Sequence, residues 1–123
     1  MARPALTGAD LHMHSYHSDG EWAPAELVDA AARAGLAAVA LTDHDTVAGV
    51  AEMQAAGAAL GLEVLAGVEI STWLDADLHL LGYGFDPADD ALADTLARAR
   101  EGRVERAQRI TDRLAELGVP VPW

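Results

Sequence analysis

An α/β fold with a parallel sheet is predicted by three features of this 123-residue chain. Apolar runs alternate with helical patterns in the order strand, helix, strand, helix, strand. The middle run, Leu36 to Leu41, is apolar at consecutive positions, as in strands buried on both faces. Glycine closes each helical pattern, at Gly35 and at Gly61. Such alternation implies right-handed crossovers between neighbouring strands. By length the chain is one domain, able to bury about two-thirds of its unfolded surface.

The first strand spans Asp10 to His14, where side chains two apart share a face, so His12 and His14 point the same way. Ala23-Pro24-Ala25-Glu26 opens the first helix, with proline near the first helical position, where a missing N–H costs little. Leu27, Val28, Ala31 and Ala34 form its apolar stripe. The second strand ends at Thr42-Asp43-His44-Asp45, and Thr46 is the expected N-cap of a second helix with Val47, Val50, Met53 and Leu60 as apolar positions. Leu62 to Ile70 is the third strand. The rhythm then changes, because Glu69 to Trp73 and Asp77 to Phe85 are separated by only a few residues, around Asp75 and Asp77, which reads as an antiparallel hairpin. From Pro87 a long helical pattern sets Leu92, Leu96, Val104, Ala107, Ile110, Leu114 and Leu117 on one side, with Gly102 a candidate interruption and Gly118 to Trp123 its end. Arg98, Arg100, Arg103, Arg106, Arg109 and Arg113 cluster there and read first as a solvated face, with phosphate binding as the alternative.

Apolar residues make up 51% of the chain but aromatic ones only 5%, so its core is built from small side chains. The net charge of −12, from 8 basic and 20 acidic residues, argues against a protein that binds nucleic acid strongly by electrostatics alone. Divalent ions would offset that charge locally and could draw a phosphate into an otherwise acidic pocket. Without cysteine there are no disulfides, thiolate zinc sites or cysteine nucleophiles, so metal ligands must be His, Asp or Glu. No apolar run has the length of a signal peptide or a membrane span, and a cytoplasmic protein with no membrane partner is expected.

The segment Asp10 to Gly20 is the densest in potential ligands, with three histidines and two aspartates. In parallel sheets, sites gather at the carboxyl ends of the strands. His12, His14 and Asp19 lie at or just after the end of the first strand, His44 just after the second and Glu69 at the end of the third, while His79 sits on the hairpin. Imidazole and carboxylate together suit zinc, manganese or iron better than calcium. Singly, each residue has a plainer reading: His12 and His14 alternating on a half-exposed strand, His44 as a cap, Glu69 as an edge charge, His79 as a core histidine. Convergence of all six on one rim is what favours a metal site. His17, Asp43 and Asp45 are weaker candidates, either orienting the ligands or only adding loop polarity.

At these residues the sequence resembles the PHP family, the polymerase and histidinol phosphatase domain of metal-dependent phosphoesterases. The resemblance lies in Asp10-Leu11-His12-Met13-His14-Ser15 with Ser18-Asp19-Gly20, in Leu41-Thr42-Asp43-His44-Asp45, in Gly67-Val68-Glu69-Ile70-Ser71 and in Leu78-His79-Leu80-Leu81-Gly82. It is nearest to the stand-alone phosphatases that act on nucleoside 3′,5′-bisphosphates and RNA 5′ ends. It implies that residues 1–123 are the N-terminal portion of a distorted (β/α)7 barrel with an inserted β-hairpin and a long following helix. It also implies two or three divalent ions, manganese, zinc or iron, held by His12, His14, Asp19, His44, Glu69 and His79, with Glu69 bridging two of them. Family members are more than twice as long, and their second half adds a histidine and an Asp-x-His pair. No histidine follows His79 here.

The expected activity is hydrolysis of a phosphomonoester, of a nucleotide or an RNA 5′ end, by a metal-activated water and with no side-chain nucleophile. The alternative is a truncated, non-catalytic metal-binding fragment, or a half barrel completed by a second polypeptide or a second copy.

Overall fold

The computed structural model describes residues 7–73 and 77–122. Its four strands, β1 (Ala9–Met13), β2 (Ala38–Leu41), β3 (Glu63–Trp73) and β4 (Asp77–Tyr83), form one sheet in the order β1-β2-β3-β4. The first three run parallel, linked by α1 (Pro24–Arg33) and α2 (Val50–Leu60), while β4 returns antiparallel along β3. A 27-residue helix, α3 (Asp90–Glu116), follows. Although β1 and β4 occupy opposite edges, the Tyr83 hydroxyl donates to the Leu11 carbonyl at 2.6 Å. The sheet therefore curls far enough for its two edge strands to touch.

Local chemistry explains most of the boundaries. Pro24 opens α1, and the Glu26 carboxylate accepts from the Ala23 N–H at 2.8 Å, satisfying one donor that the helix leaves unpaired. Gly35 follows with φ 78°, which lets the Leu36 N–H reach back to the Ala31 carbonyl. Asp89 caps α3 by accepting from the Leu92 N–H at 2.7 Å. Gly118, at φ 82°, ends that helix as its position predicted, with the Val119 N–H on the Leu114 carbonyl. The core lies between the sheet and the first two helices, where Val28, Ala31, Val39, Leu41, Met53 and Leu62 pack together. No helix among the described residues is long and apolar enough to cross a membrane.

Three sequence expectations are corrected. First, α2 begins at Val50 behind an N-cap at Gly49, three residues after the expected Thr46 cap, and Val47 lies outside the helix. The reason is that residues 43–45 still pair with β3: the Glu69 N–H donates to the Asp43 carbonyl and the Asp45 N–H to the Glu69 carbonyl. The chain leaves the sheet only after Asp45, and Thr46 Oγ1 accepts from the Ala48 N–H within the turn that follows. Second, the third strand and the first arm of the hairpin are one continuous strand, β3. Asp75, expected in the hairpin turn, lies outside the described residues. Third, α3 runs unbroken through Gly102.

Two helical glycines have opposite surroundings. A Cβ at Gly57 would clash with Val64 Cγ2 and lie 2.9 Å from the Leu62 carbonyl oxygen, because α2 rests closely on β3 there; a Cβ at Gly102 would meet nothing within 4 Å. Gly57→Ala is therefore expected to lower the unfolding free energy by about 1–3 kcal/mol through overpacking. Gly102→Ala should raise it by about 1 kcal/mol, the helix-propensity difference. Urea denaturation of the two variants checks this, and a stabilised Gly57→Ala protein would refute the close-packing account.

Candidate metal centre

Because β1, β2 and β3 are parallel, their carboxyl ends and the loops that follow share one rim. His12 lies within β1 and His14 just past it. His44 forms an isolated parallel bridge with Glu69 beyond the end of β2, Glu69 is within β3 and His79 within β4. On the antiparallel ladder His79 faces Ser71, two residues along from Glu69, so both side chains lie on one face of the sheet. The structure brings all six residues of the expected set together.

Glu69 is at the middle. Its Oε2 lies 2.8 Å from His12 Nε2, 2.9 Å from His14 Nε2 and 3.9 Å from His44 Nε2, and its Oε1 lies 2.8 Å from His79 Nδ1. Asp19 spans the next pair, with Oδ1 3.0 Å from His14 Nδ1 and Oδ2 3.4 Å from His44 Nε2. Burial would raise the Glu69 pKa, but hydrogen bonds to His12 and His79, with the charges of His44 and His12, hold it below the ordinary carboxylate value. Glu69 is thereby kept ionised, as a metal ligand must be.

The donor set fits divalent ions. Three triads, His12–His14–Glu69, His14–Asp19–His44 and His44–Glu69–His79, each bring their ligand atoms within 4.8 Å of one another. Atoms bound at about 2.1 Å to a single ion are separated by comparable distances. A neutral imidazole has one free lone pair, so His14 and His44, each shared by two triads, can serve one ion apiece. The carboxylates have two oxygens and can serve two. His44 Nδ1 is buried with no hydrogen-bond partner, a polar atom that the described protein does not satisfy by itself.

Two residues that the sequence marked only weakly hold this arrangement in place. Asp43, buried at the end of β2, accepts from the Ser15 N–H at 2.7 Å, from Ser15 Oγ at 2.6 Å and from Ser18 Oγ at 2.7 Å. It thus pins the loop carrying His14 and Asp19 against the strand carrying His44. Asp45 is also buried, with φ 53°, a conformation that aspartate tolerates better than most residues. Its Oδ1 accepts from the Ser71 N–H at 2.8 Å and its Oδ2 pairs with Arg103 at 3.1 Å. Asp10, counted among the potential ligands of its segment but not in the set of six, accepts from the His12 N–H at 3.1 Å, where the β1–β2 register shifts. His17 stays outside the cluster, its ring tilted against that of Tyr16 with centroids 4.5 Å apart.

All six arginines of α3 are exposed, as expected of a solvated face, and two of them also make tertiary contacts. Arg100 and Arg103 both bind Asp45, the former at its carbonyl, 2.5 Å away. Arg98, Arg103, Arg106 and Arg109 line a cleft of about 730 Å³ together with Asp19, His44 and His79. The helical pattern showed the arginines clustering but could not show what they face.

Replacing Asp43 by alanine would leave three donors unpaired, at a cost of about 3 kcal/mol or more of folding stability. Chemical denaturation of Asp43→Ala reads this directly, and a loss below about 1 kcal/mol would show that Asp43 does not hold the loop. Glu69, with its lowered pKa, stabilises the metal-free protein fully above the ordinary value of 4.5, and this contribution is lost as pH falls through the lowered value. Glu69→Gln should therefore flatten the acid limb of stability against pH in EDTA-treated protein; an unchanged limb would exclude this coupling.

A family model of the PHP domain matches residues 10–97. The chain is 45% identical over 115 residues to a 3′,5′-nucleoside bisphosphate phosphatase of Chromobacterium violaceum, an alignment covering 93% of this chain and 40% of that protein. It is 41% identical over 112 residues to a 5′-3′ exoribonuclease of Haemophilus influenzae, covering 90% of this chain and 41% of the relative. A crystal structure of a protein from Bifidobacterium adolescentis, proposed to be a metal-dependent phosphoesterase, matches with a TM-score of 0.82 at 36% identity, over 98% of this chain and 42% of that one. The chain thus spans about two-fifths of the length of these relatives. On the match over residues 10–97, this chain belongs to the PHP domain family.

Proposed function

We propose that this chain carries the metal-binding rim of a phosphoesterase that hydrolyses a phosphomonoester, of a nucleotide or an RNA 5′ end. The observation that carries the reading is the convergence of His12, His14, Asp19, His44, Glu69 and His79 into three overlapping triads. In this reading the six side chains are ligands of two or three divalent ions. Glu69 reaches two groups of histidines with its two oxygens, and Asp19 links His14 to His44. Asp43 and Asp45 keep the carriers of these ligands in register. When bound, such ions would supply Lewis acidity, lowering the pKa of water so that hydroxide is available near neutral pH and neutralising charge on the oxygen that leaves. The oxygen of water forms a new P–O bond as the ester P–O bond breaks, and one proton of that water ends on the departing alcohol. The choice of a nucleotide substrate is supported by the relatives, one of which is named for a nucleoside bisphosphate and another for RNA.

A second reading, a half barrel that needs another polypeptide or a second copy, is favoured by one observation. The edge strands β1 and β4 expose Leu11, Leu78, Leu80 and Leu81 by 40% to 52%, an apolar margin that an isolated chain would leave in water.

One experiment separates the two. The purified chain is loaded with manganese and assayed for bound metal, mass in solution and phosphate release from adenosine 3′,5′-bisphosphate. We expect at least one ion per chain, and release that EDTA abolishes and manganese restores. Glu69→Gln should cut turnover by about a hundredfold or more. Release insensitive to EDTA would refute the metal mechanism, whereas a metal-loaded but inactive chain would favour the half-barrel reading.

A further inference from the structure

We propose that Arg100 and Arg103 of α3 are positioning residues for the metal centre. From the helix they clamp Asp45 and so fix the backbone that presents His44, which makes the affinity for an ion at His44 depend on the docking of α3. The proposal rests on the reading of the metal centre given above.

His44 is the ligand that needs such help. Metal-binding histidines are usually aimed by a hydrogen bond at the ring nitrogen that faces away from the ion. His44 turns Nε2 toward Asp19 and Glu69, at 3.4 and 3.9 Å, while its buried Nδ1 has no hydrogen-bond partner among the described residues. Its ring meets those of His14 and His79, with centroids 4.7 and 4.9 Å away, but both belong to the same set of ligands. The aim of His44 is therefore left largely to its main chain.

Asp45 is where that main chain is held. Its N–H donates to the Glu69 carbonyl at 2.9 Å and its Oδ1 accepts from the Ser71 N–H at 2.8 Å, which ties the residue after His44 to β3. Arg100 donates to its carbonyl oxygen at 2.5 Å and Arg103 to its Oδ2 at 3.1 Å, from 55 and 58 residues further along the chain. Among the described residues Asp45 is the one non-glycine with a positive φ, 53°, and its side chain is fully buried. A conformation of this kind persists only where the surroundings enforce it. A buried carboxylate likewise needs a countercharge, and Arg103 brings it from a side chain that is itself 52% exposed.

The helix is arranged for this contact. Leu96 is the one buried residue of α3 among those described. Arg100 and Arg103 follow it by four and seven residues, the spacing that keeps side chains on one helical face. The face that carries the apolar anchor of α3 thus also carries both arginines that reach Asp45. Neither arginine belongs to a ligand triad, and of the three triads two contain His44 whereas His12–His14–Glu69 does not. A clamp that works through His44 therefore weakens some ion sites and spares another, which a general loss of stability would not do.

The test has two readouts, calorimetric titration with manganese and proton–nitrogen spectra of the imidazoles in EDTA-treated protein, with His44 assigned from the signals lost in His44→Asn. Variants are Arg103→Gln, Arg100→Gln/Arg103→Gln and the conservative Arg103→Lys. Arg113→Gln, away from Asp45, and Gly57→Ala, destabilised elsewhere, are the controls. In the double variant we expect the His44 signals to move, binding that involves His44 to weaken by about ten- to a hundredfold, and one site to keep its affinity. Arg103→Gln should show a smaller loss, Arg103→Lys should regain part of it, and both controls should bind as the unaltered chain does. A folded double variant, or Arg103→Gln where the double variant does not fold, with unchanged manganese affinity would overturn the proposal. An equal loss in Gly57→Ala would overturn it too. If the unaltered chain binds no manganese, the metal reading is refuted and the His44 signals decide: moved by the arginine variants, they support the clamp; unmoved, they overturn it.

Discussion

The arrangement depends on one buried carboxylate, that of Glu69. Its side chain is only 7% exposed, and a carboxylate removed from water without partners would be strongly unfavourable. Glu69 is tolerable there because four imidazoles, from β1, the end of β2 and β4, surround it. The same contacts that offset its desolvation lower its pKa and keep it negative. The residue is thus both the main electrostatic tie between four strands and the group best placed to hold cations.

The backbone makes that meeting possible. Parallel pairing of β1, β2 and β3 puts their carboxyl ends on one rim, and the antiparallel return of β4 adds His79 from a strand that the βαβ rhythm alone would not supply. At the end of β2, Thr42-Asp43-His44 continues alongside β3 before the chain turns at Asp45, at φ 53°, so the two aspartates flank His44 and serve different neighbours. Asp43 holds the loop after β1, and Asp45 holds β3 and α3. Buried acids at both positions cost desolvation free energy, offset by their hydrogen bonds and, for Asp45, an ion pair.

The long helix changes how the charge of the molecule is understood. A net charge of −12 describes a repulsive surface for phosphates, yet the cleft beside the metal-ligand cluster is walled by arginines. Net charge reports the whole surface, whereas recognition depends on the potential inside one concavity. The two differ here because most of the acids face other directions.

The sequence by itself determined the α/β alternation, the glycine stops at Gly35, Gly61 and Gly118, the antiparallel hairpin, and the six residues that meet at the rim. Those features follow from local rules: apolar periodicity, cap chemistry, and the tendency of parallel strands to present their carboxyl ends together. The tertiary structure decided where α2 starts, because pairing of residues 43–45 with β3 overrode the capping preference of Thr46. It also decided that Asp43 and Asp45 are buried organisers rather than loop polarity, and that four of the six arginines of α3 line the cleft. None of these could be read from periodicity, because each depends on contacts between residues tens of positions apart, and spacing along a helix cannot say which neighbour its face will meet.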